Sequence, residues 1–279
     1  MVRRAERAVR NLGLGELALV ACVLSGAAWL FASGAPAAYP IVNLAALAIG
    51  LVGRLAAGRL PPATGLAAAP ILAALALWFG PSVNGVERWI AIGDVRLHAT
   101  MLAGPAFAVA AQRVGGWISA CAVAGLALVI TLQPDHGAAI ALTSAMAATA
   151  AIRRDGPALV GLACAAAAVI ATAYPAGDIA PVAFVENVAQ EMVAVGDTLS
   201  LAALALLALA ALAPAIRRSE RNTGGTALAG WTAGLVCASL IGPYPTPLVG
   251  YGAAAILGYA LATGWMQKRV GGGGWQFRN

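Results

Sequence analysis

Three short stretches of this chain hold most of the residue types that can do chemistry. The first runs Asn84-Gly85-Val86-Glu87-Arg88-Trp89-Ile90, with Gly93 and Asp94 just beyond it. Asn-Gly favours a tight turn, Trp89 suits a membrane–water interface, and the planar fork of Arg88 matches a phosphate or a carboxylate. The second is Gln133-Pro134-Asp135-His136-Gly137. Its Pro and Gly break two apolar runs apart, and Asp135 is placed to cap the helix that follows by accepting from its free N–H groups. An ionisable pair near membrane depth is costly and often functional. The third, Pro243-Tyr244-Pro245-Thr246-Pro247-Leu248-Val249-Gly250-Tyr251-Gly252-Ala253, has three prolines that forbid a regular helix. Irregular backbone at membrane depth survives only against protein or a wet cavity. Each stretch also has a plainer reading: a solvated loop with an aromatic anchor, a capped turn, and a turn between the last two spans.

The elements that must carry these stretches follow from composition. The chain has 279 residues, 61% hydrophobic and 10% charged, with a mean hydropathy of +0.84; a soluble domain carries roughly 25% charged residues. The apolar residues form long runs without the alternation of a membrane barrel, and lipid cannot satisfy backbone polar groups, so each run is expected to be a helix. Ten spans are predicted, near 13–33, 37–53, 62–79, 98–112, 116–132, 137–152, 157–174, 197–216, 226–242 and 248–267. They make an all-α membrane bundle, a single integral domain over 1–279. Its long outer loops are expected at about 80–97 and 175–196, and a flexible tail at 270–279.

Charge sets the expected orientation. With the N-terminus inside, 15 of 17 basic residues fall on inner segments and seven of 11 acidic residues on outer ones, the bias of cytoplasmic loops. Both termini are therefore expected to be cytoplasmic. The net charge of +6 is a topology signal and not a sign of nucleic-acid binding. Cys22, Cys121, Cys164 and Cys237 lie singly in apolar runs and read as packing residues. Two histidines are too few for a histidine metal cluster.

Taken together and in order, the three stretches resemble the SEDS family of cell-shape, division and sporulation membrane proteins. That family carries N-G-A-x-R-W-I, then Q-P-D-x-G-T-A, then P-L-P-F-x-S-Y-G-G-S-S. Asn84 to Ile90 match the first; Gln133, Pro134, Asp135, Gly137 and Ala139 the second; Pro245, Pro247, Tyr251 and Gly252 the third. The resemblance implies an inverting glycosyltransferase at the outer face of the bacterial inner membrane. It would polymerise an undecaprenyl-linked disaccharide precursor of peptidoglycan with a class B penicillin-binding protein as partner. The family's catalytic aspartate follows a Pro in the large outer loop; here Pro181, Val185 and Glu186 align there, which makes Glu186 the expected base. The substrate-contacting candidates are Asn84, Arg88, Trp89, Arg96, Gln133, Asp135 and Tyr251. Arg88 and Arg96 are the outer cations for the diphosphate leaving group. A divalent cation, Mg or Mn, is the other expectation there, although the outer carboxylates Asp135, Glu186 and Glu191 show no ligand spacing.

The sequence departs from the family in one place that matters. A Q-P-S-E-x-x-K stretch aligns with His98, Ala99, Thr100, Met101 and Gly104, so the family's glutamate and lysine are both missing. Two other readings therefore stand beside the enzyme: a non-catalytic relative that binds lipid-linked precursor or scaffolds a cell-wall complex, and a lipid flippase or transporter. The last calls for polar residues along a path through the spans, and Glu16 is the one candidate seen.

Overall fold

The computed structural model describes residues 12–83, 85–93, 95–173, 181–216 and 224–266. Among these it has ten long helices, one short helix and one hairpin. In chain order they are α1 (Leu14–Ala32), α2 (Ala38–Ala57), α3 (Pro62–Phe79), β1 (Trp89–Ile92), β2 (Val95–His98), α4 (Ala99–Val114), α5 (Gly116–Leu132), α6 (His136–Arg153), α7 (Gly156–Ala171), α8 (Val188–Val195), α9 (Thr198–Ile216), α10 (Thr226–Ile241) and α11 (Ala253–Met266). The ten long helices fall on the ten predicted spans. Four of them, α1, α2, α3 and α9, are long and apolar enough to cross a membrane unaided, and α5, α7, α10 and α11 are shorter apolar helices.

The outward faces are as apolar as the interior. Phe31, Ile49, Trp78, Ile118 and Ile170 are all more than 60% exposed, a surface that water disfavours and hydrocarbon accepts. Inside, close approach depends on small residues, as in membrane bundles generally. A Cβ on Gly234 of α10 would sit 2.6 Å from the Ala141 Cα of α6, and one on Gly50 of α2 would sit 2.7 Å from the Ala260 Cβ of α11. Helix α4 lies at the centre, with 13 of its 16 residues buried. It packs against α3, α10 and α11.

Three features differ from expectation. The segment 80–97, expected to be an outer loop, holds an antiparallel hairpin, with Trp89 opposite His98 and Ile92 opposite Val95. Helix α8 occupies part of the segment expected to be loop at 175–196, and 174–180 lie outside the described residues. The last span starts at Ala253 and not at 248, because the backbone of 243–252 is held in an irregular path by contacts described below. The expected tail at 270–279 also lies outside the described residues.

The turns segregate to two ends. The Arg88 segment meets Gln133 and Pro134, and Thr246 meets Val185, at one end. Trp265 Nε1 donates to Leu60 O at 3.2 Å, and Arg153 Nη1 to Gln112 O at 3.1 Å, at the other. At this second end Glu16 of α1 and Arg54 of α2 form a buried ion pair, 2% and 4% exposed. Glu16 also accepts from Gly13 N at 2.7 Å at its own helix start. The lone acidic residue of the first span is thus a structural partner.

Breaking a buried pair by removing one partner costs about 3–5 kcal/mol, whereas replacing both partners by apolar groups is often nearly neutral. Glu16→Leu and Arg54→Met are each expected to lower the thermal midpoint of the detergent-solubilised protein strongly. The double variant should recover most of the loss, measured as a double-mutant cycle.

Candidate active site

The residue with the most chemical promise sits on a segment with no helix of its own. Glu186 lies just before α8 in a tight loop. Val185 N and Glu186 N both donate to Val182 O at 3.1 Å, and Val182 N donates back to Glu186 Oε2 at 2.7 Å. Phe184 and Asn187 flank it with φ of 64° and 61°, a conformation sparsely populated outside glycine and sustained by surrounding contacts.

Those contacts come from the third polar stretch. Thr246 N donates to Val185 O at 2.9 Å, Tyr251 N to Phe184 O at 2.7 Å, and Ala189 N to Thr246 Oγ1 at 3.2 Å. The stretch is anchored in turn by Asn43 of α2, which is fully buried. Asn43 Nδ2 donates to Gly250 O at 2.9 Å and its Oδ1 accepts from Gly252 N at 3.1 Å. On the aromatic side, the Phe184 ring stands edge-on to Trp29 and to Tyr39, at 6.5 and 6.3 Å.

Arg88 enters from the segment just before β1. Its Nε donates to Gln133 O at 3.2 Å and its Nη2 to Pro134 O at 2.8 Å. These are carbonyls at the C-terminal end of α5, where a helix favours a cation. Asp135 begins α6. Its Oδ1 accepts from Ala138 N at 3.1 Å, the predicted N-cap, and its Oδ2 accepts from Thr100 Oγ1 at 3.0 Å. His98 Nε2 lies 3.5 Å from the same Oδ2.

Arg88, Trp89, His98, Asp135, Glu186 and Tyr244 line one cavity of about 140 Å³, together with apolar residues that include Met101 and Leu235. Four predicted residues, Arg88, Trp89, Asp135 and Glu186, are thereby brought together from segments far apart in sequence. Arg88 and Glu186 do not form an ion pair, so the cavity separates a cation from a carboxylate. Burial pushes the Glu186 carboxyl above its ordinary value, against the opposing pull of the Val182 N–H and of Arg88. Burial lowers His98, with Asp135 pulling it back up and Arg88 adding to the lowering. Burial alone would raise Asp135. His98, Arg88, the Ala138 N–H and the Thr100 hydroxyl outweigh it and hold the carboxyl below its usual range. Near pH 7 a neutral His98 contributes little to that balance, and the Asp135 charge rests on Arg88 and the two hydrogen bonds.

The other sequence candidates lie elsewhere. Gln133 is buried as a brace, its Nε2 donating to Ala73 O at 2.8 Å and to Glu87 O at 2.9 Å. Tyr251 stacks on Tyr39 with ring centroids 3.8 Å apart. Arg96 is exposed. It shares the hairpin face of His98 but sits one strand repeat closer to the turn, out in solvent. Asn84 lies outside the described residues. Glu191 is exposed on α8 and does not line the cavity. Asp135 has both oxygens committed, and no group of three His, Cys, Asp or Glu among the described residues could hold a metal ion. The described residues around the cavity do not make a cation cage.

His98, Thr100 and Tyr244 have no site role in the sequence reading, although it names them within its motifs. Their signal was weak: a lone histidine at a helix start, and a tyrosine between prolines whose ring lies against Gly137, where a Cβ would come within 3.2 Å of Cδ1. The missing family pair also has a structural counterpart. Met101 lines the cavity, and Gly104 faces the fully buried Trp231, whose indole occupies the place a Cβ would take.

No protein-family model matches the sequence, and no curated protein sequence matches it. Solved structures do. The rod shape determining protein RodA of Thermus thermophilus superposes with a TM-score of 0.61 at 19% identity, over 90% of this chain and 93% of that one. An Asp-to-Ala variant of the same protein gives 0.59 at 18% identity. A chain from a peptidoglycan synthase complex, described as coordinating polymerization and crosslinking, gives 0.58 at 20% identity, over 89% and 95% of the two chains.

The depressed Asp135 carboxyl makes a signed prediction. Its stabilisation is fully present above the ordinary carboxyl pKa of about 3.9 and is lost as pH falls through the lower folded value. Asp135→Ala should cost about 1–2 kcal/mol at pH 7 from the lost cap. The gap in thermal midpoint between it and the unaltered protein should close on acidification below about pH 4.

A polytopic helical membrane bundle with these ten helices in this arrangement is the fold of RodA, as the resemblance to the SEDS family implied.

Proposed function

We propose that this chain is a diverged SEDS-type peptidoglycan glycosyltransferase, acting on an undecaprenyl-linked disaccharide at the outer face of the bacterial inner membrane. The observation that carries the reading is the shared cavity of Arg88 and Glu186. A fixed guanidinium and a carboxylate raised by burial, held apart across a space, are what transfer from a diphosphate donor requires.

The acceptor hydroxyl oxygen forms a bond to the anomeric carbon as its proton passes to the Glu186 carboxylate. The bond from that carbon to the diphosphate oxygen breaks, and its electron pair leaves with the diphosphate against Arg88. Asp135 has both oxygens committed to Ala138 and Thr100, which leaves Glu186 as the carboxylate available for the reaction. One base and one displacement give inversion. The basic residues Arg54, Arg59, Arg113, Arg153 and Arg154 lie at the opposite end of the bundle, and the charge rule on that distribution supports an outward-facing cavity. A class B penicillin-binding protein is the proposed partner; the likeness to a chain from a peptidoglycan synthase complex supports that choice.

A second reading is favoured by Met101 and the Trp231–Gly104 packing. An apolar plug beside the cavity suits a relative that binds the lipid-linked precursor without polymerising it. Transport finds less support: the buried ionisable groups sit at the two ends, Asp135 at one and Glu16 with Arg54 at the other.

The test is polymerisation of purified lipid-linked disaccharide with Mg²⁺ or Mn²⁺, with and without a penicillin-binding partner. The expected result is glycan chains from the unaltered protein, a loss of at least about 100-fold in Glu186→Gln, and an acid limb above the ordinary glutamate range. Activity should fall as pH drops through that limb, because the base must be ionised. Glu186→Gln should unfold at the same or a higher temperature at neutral pH, since burial disfavours the ionised form there. Equal activity in the two proteins would remove Glu186 from the mechanism. Precursor binding without any product would establish the non-catalytic reading.

A further inference from the structure

The cavity contains a second acceptor atom whose orientation is set by a hydrogen-bond chain. The Thr100 hydroxyl has a single proton, and it donates that proton to Asp135 Oδ2 at 3.0 Å. The 3.1 Å contact between Thr100 Oγ1 and His98 Nδ1 therefore needs the proton to come from the histidine. His98 is thereby fixed as the Nδ1–H form, with a bare lone pair on Nε2. The two ring nitrogens point away from each other. Thr100 Oγ1 and Asp135 Oδ2 are only 3.0 Å apart, so with Nδ1 aimed at the threonine, Nε2 cannot also be aimed at the carboxylate. Its 3.5 Å separation from Oδ2 is an off-axis approach and not a hydrogen bond. Nε2 has no hydrogen-bond partner among the described residues, and the ring lines the cavity with its side chain 11% exposed. Trp89 stands edge-on to it at 6.0 Å and limits its rotation.

We propose that His98 Nε2 is a substrate-binding acceptor of this cavity, receiving a hydrogen bond from a hydroxyl or amide N–H of a sugar bound between Arg88 and Glu186. The inference rests on the glycosyltransfer reading and deepens it. Arg88 recognises the anionic part of such a ligand, and His98 recognises a neutral donor group beside it. The arrangement has a built-in sensitivity: protonating Nε2 turns the acceptor into a donor and breaks the contact. The groups facing His98 are Asp135 from the turn before α6, Arg88 from the segment before β1, Glu186 from the loop before α8, and Tyr244 from the loop after α10. Once Glu186 is replaced by Gln, burial keeps Tyr244 neutral and its partners keep Asp135 ionised near neutral pH. His98, lowered by burial, is then the cavity group that acidification protonates. His136 lies on α6, bonded to Thr172 and beside Tyr244, and serves as a control.

The experiment measures binding of a fluorescent lipid-linked disaccharide to the full chain carrying Glu186→Gln, in nanodiscs, from neutral pH down to the acid limit of the folded protein. The expected result is binding that weakens on acidification by up to about tenfold per pH unit below the His98 midpoint. Adding His98→Phe should weaken binding about tenfold at pH 7.5 and abolish the pH dependence. Adding His98→Gln, whose amide oxygen is an acceptor at every pH, should keep the binding and lose only the pH dependence. Adding His136→Gln should change neither. Nitrogen-15 spectra of labelled His98 should show Nδ1 protonated and Nε2 bare. Unchanged binding and unchanged pH dependence in both His98 variants would overturn the inference while leaving the glycosyltransfer reading intact, as would an Nε2-protonated ring at pH 7.5. Absence of binding in every protein at every pH would overturn the glycosyltransfer reading itself.

Discussion

The site depends on one constraint: a backbone segment near the edge of an apolar bundle must have its polar groups met by protein. The loop that carries Glu186 closes on Val182 but leaves the Phe184 and Val185 carbonyls for other segments to meet. It is completed by the 243–252 stretch, whose Thr246 and Tyr251 N–H groups pair with Val185 and Phe184. That stretch is itself held by Asn43, a polar residue buried in an apolar helix. A chain of three segments, α2 to 243–252 to 182–189, thus fixes a carboxylate on the end of a scaffold that has no rigid element of its own there. Three prolines keep 243–252 from becoming helix, and Gly26 allows α1 to approach so closely that a Cβ would lie 2.6 Å from Val249 Cα.

The cavity's electrostatics follow from the same economy of helix ends. Arg88 sits against carbonyls ending α5, and Asp135 caps the start of α6 two residues later in the same turn. One break between two helices therefore holds both a cation and an anion where each is favoured. Asp135 is fully engaged, so its charge organises the site, with Thr100 and His98 hung from it. Glu186 is the carboxylate left to face the space opposite Arg88.

Much of this was legible in the sequence, and for a physical reason. Long apolar runs have essentially one structure available in lipid, so the ten helices could be read nearly to the residue at Pro62–Phe79 and Gly116–Leu132. The Asp135 cap is a local interaction, and it was visible for that reason. The hairpin was not: Trp-Ile-Ala-Ile and Val-Arg-Leu-His are four-residue strands, too short for alternation to stand out. His98 and Thr100 were missed because their partner, Asp135, lies 35 or more positions away. Gln133, Tyr251 and Arg96 have suitable chemistry, and the fold sets them away from the cavity lining. Whether a polar side chain faces the cavity or braces a backbone is decided by tertiary contacts that no spacing records. The apolar exchange at Met101 and Gly104 reads as a loss in sequence; in the structure it is a packed Trp231.

In the proposed reaction the donor's diphosphate and the acceptor's hydroxyl meet in the cavity between Arg88 and Glu186. The most direct measurement is a cryo-electron microscopy structure of the Glu186→Gln protein with a lipid-linked disaccharide bound. The account predicts a diphosphate oxygen within hydrogen-bonding distance of the Arg88 guanidinium and a sugar hydroxyl facing position 186. Density for the ligand at any other place on the bundle, with this cavity unfilled, would contradict it.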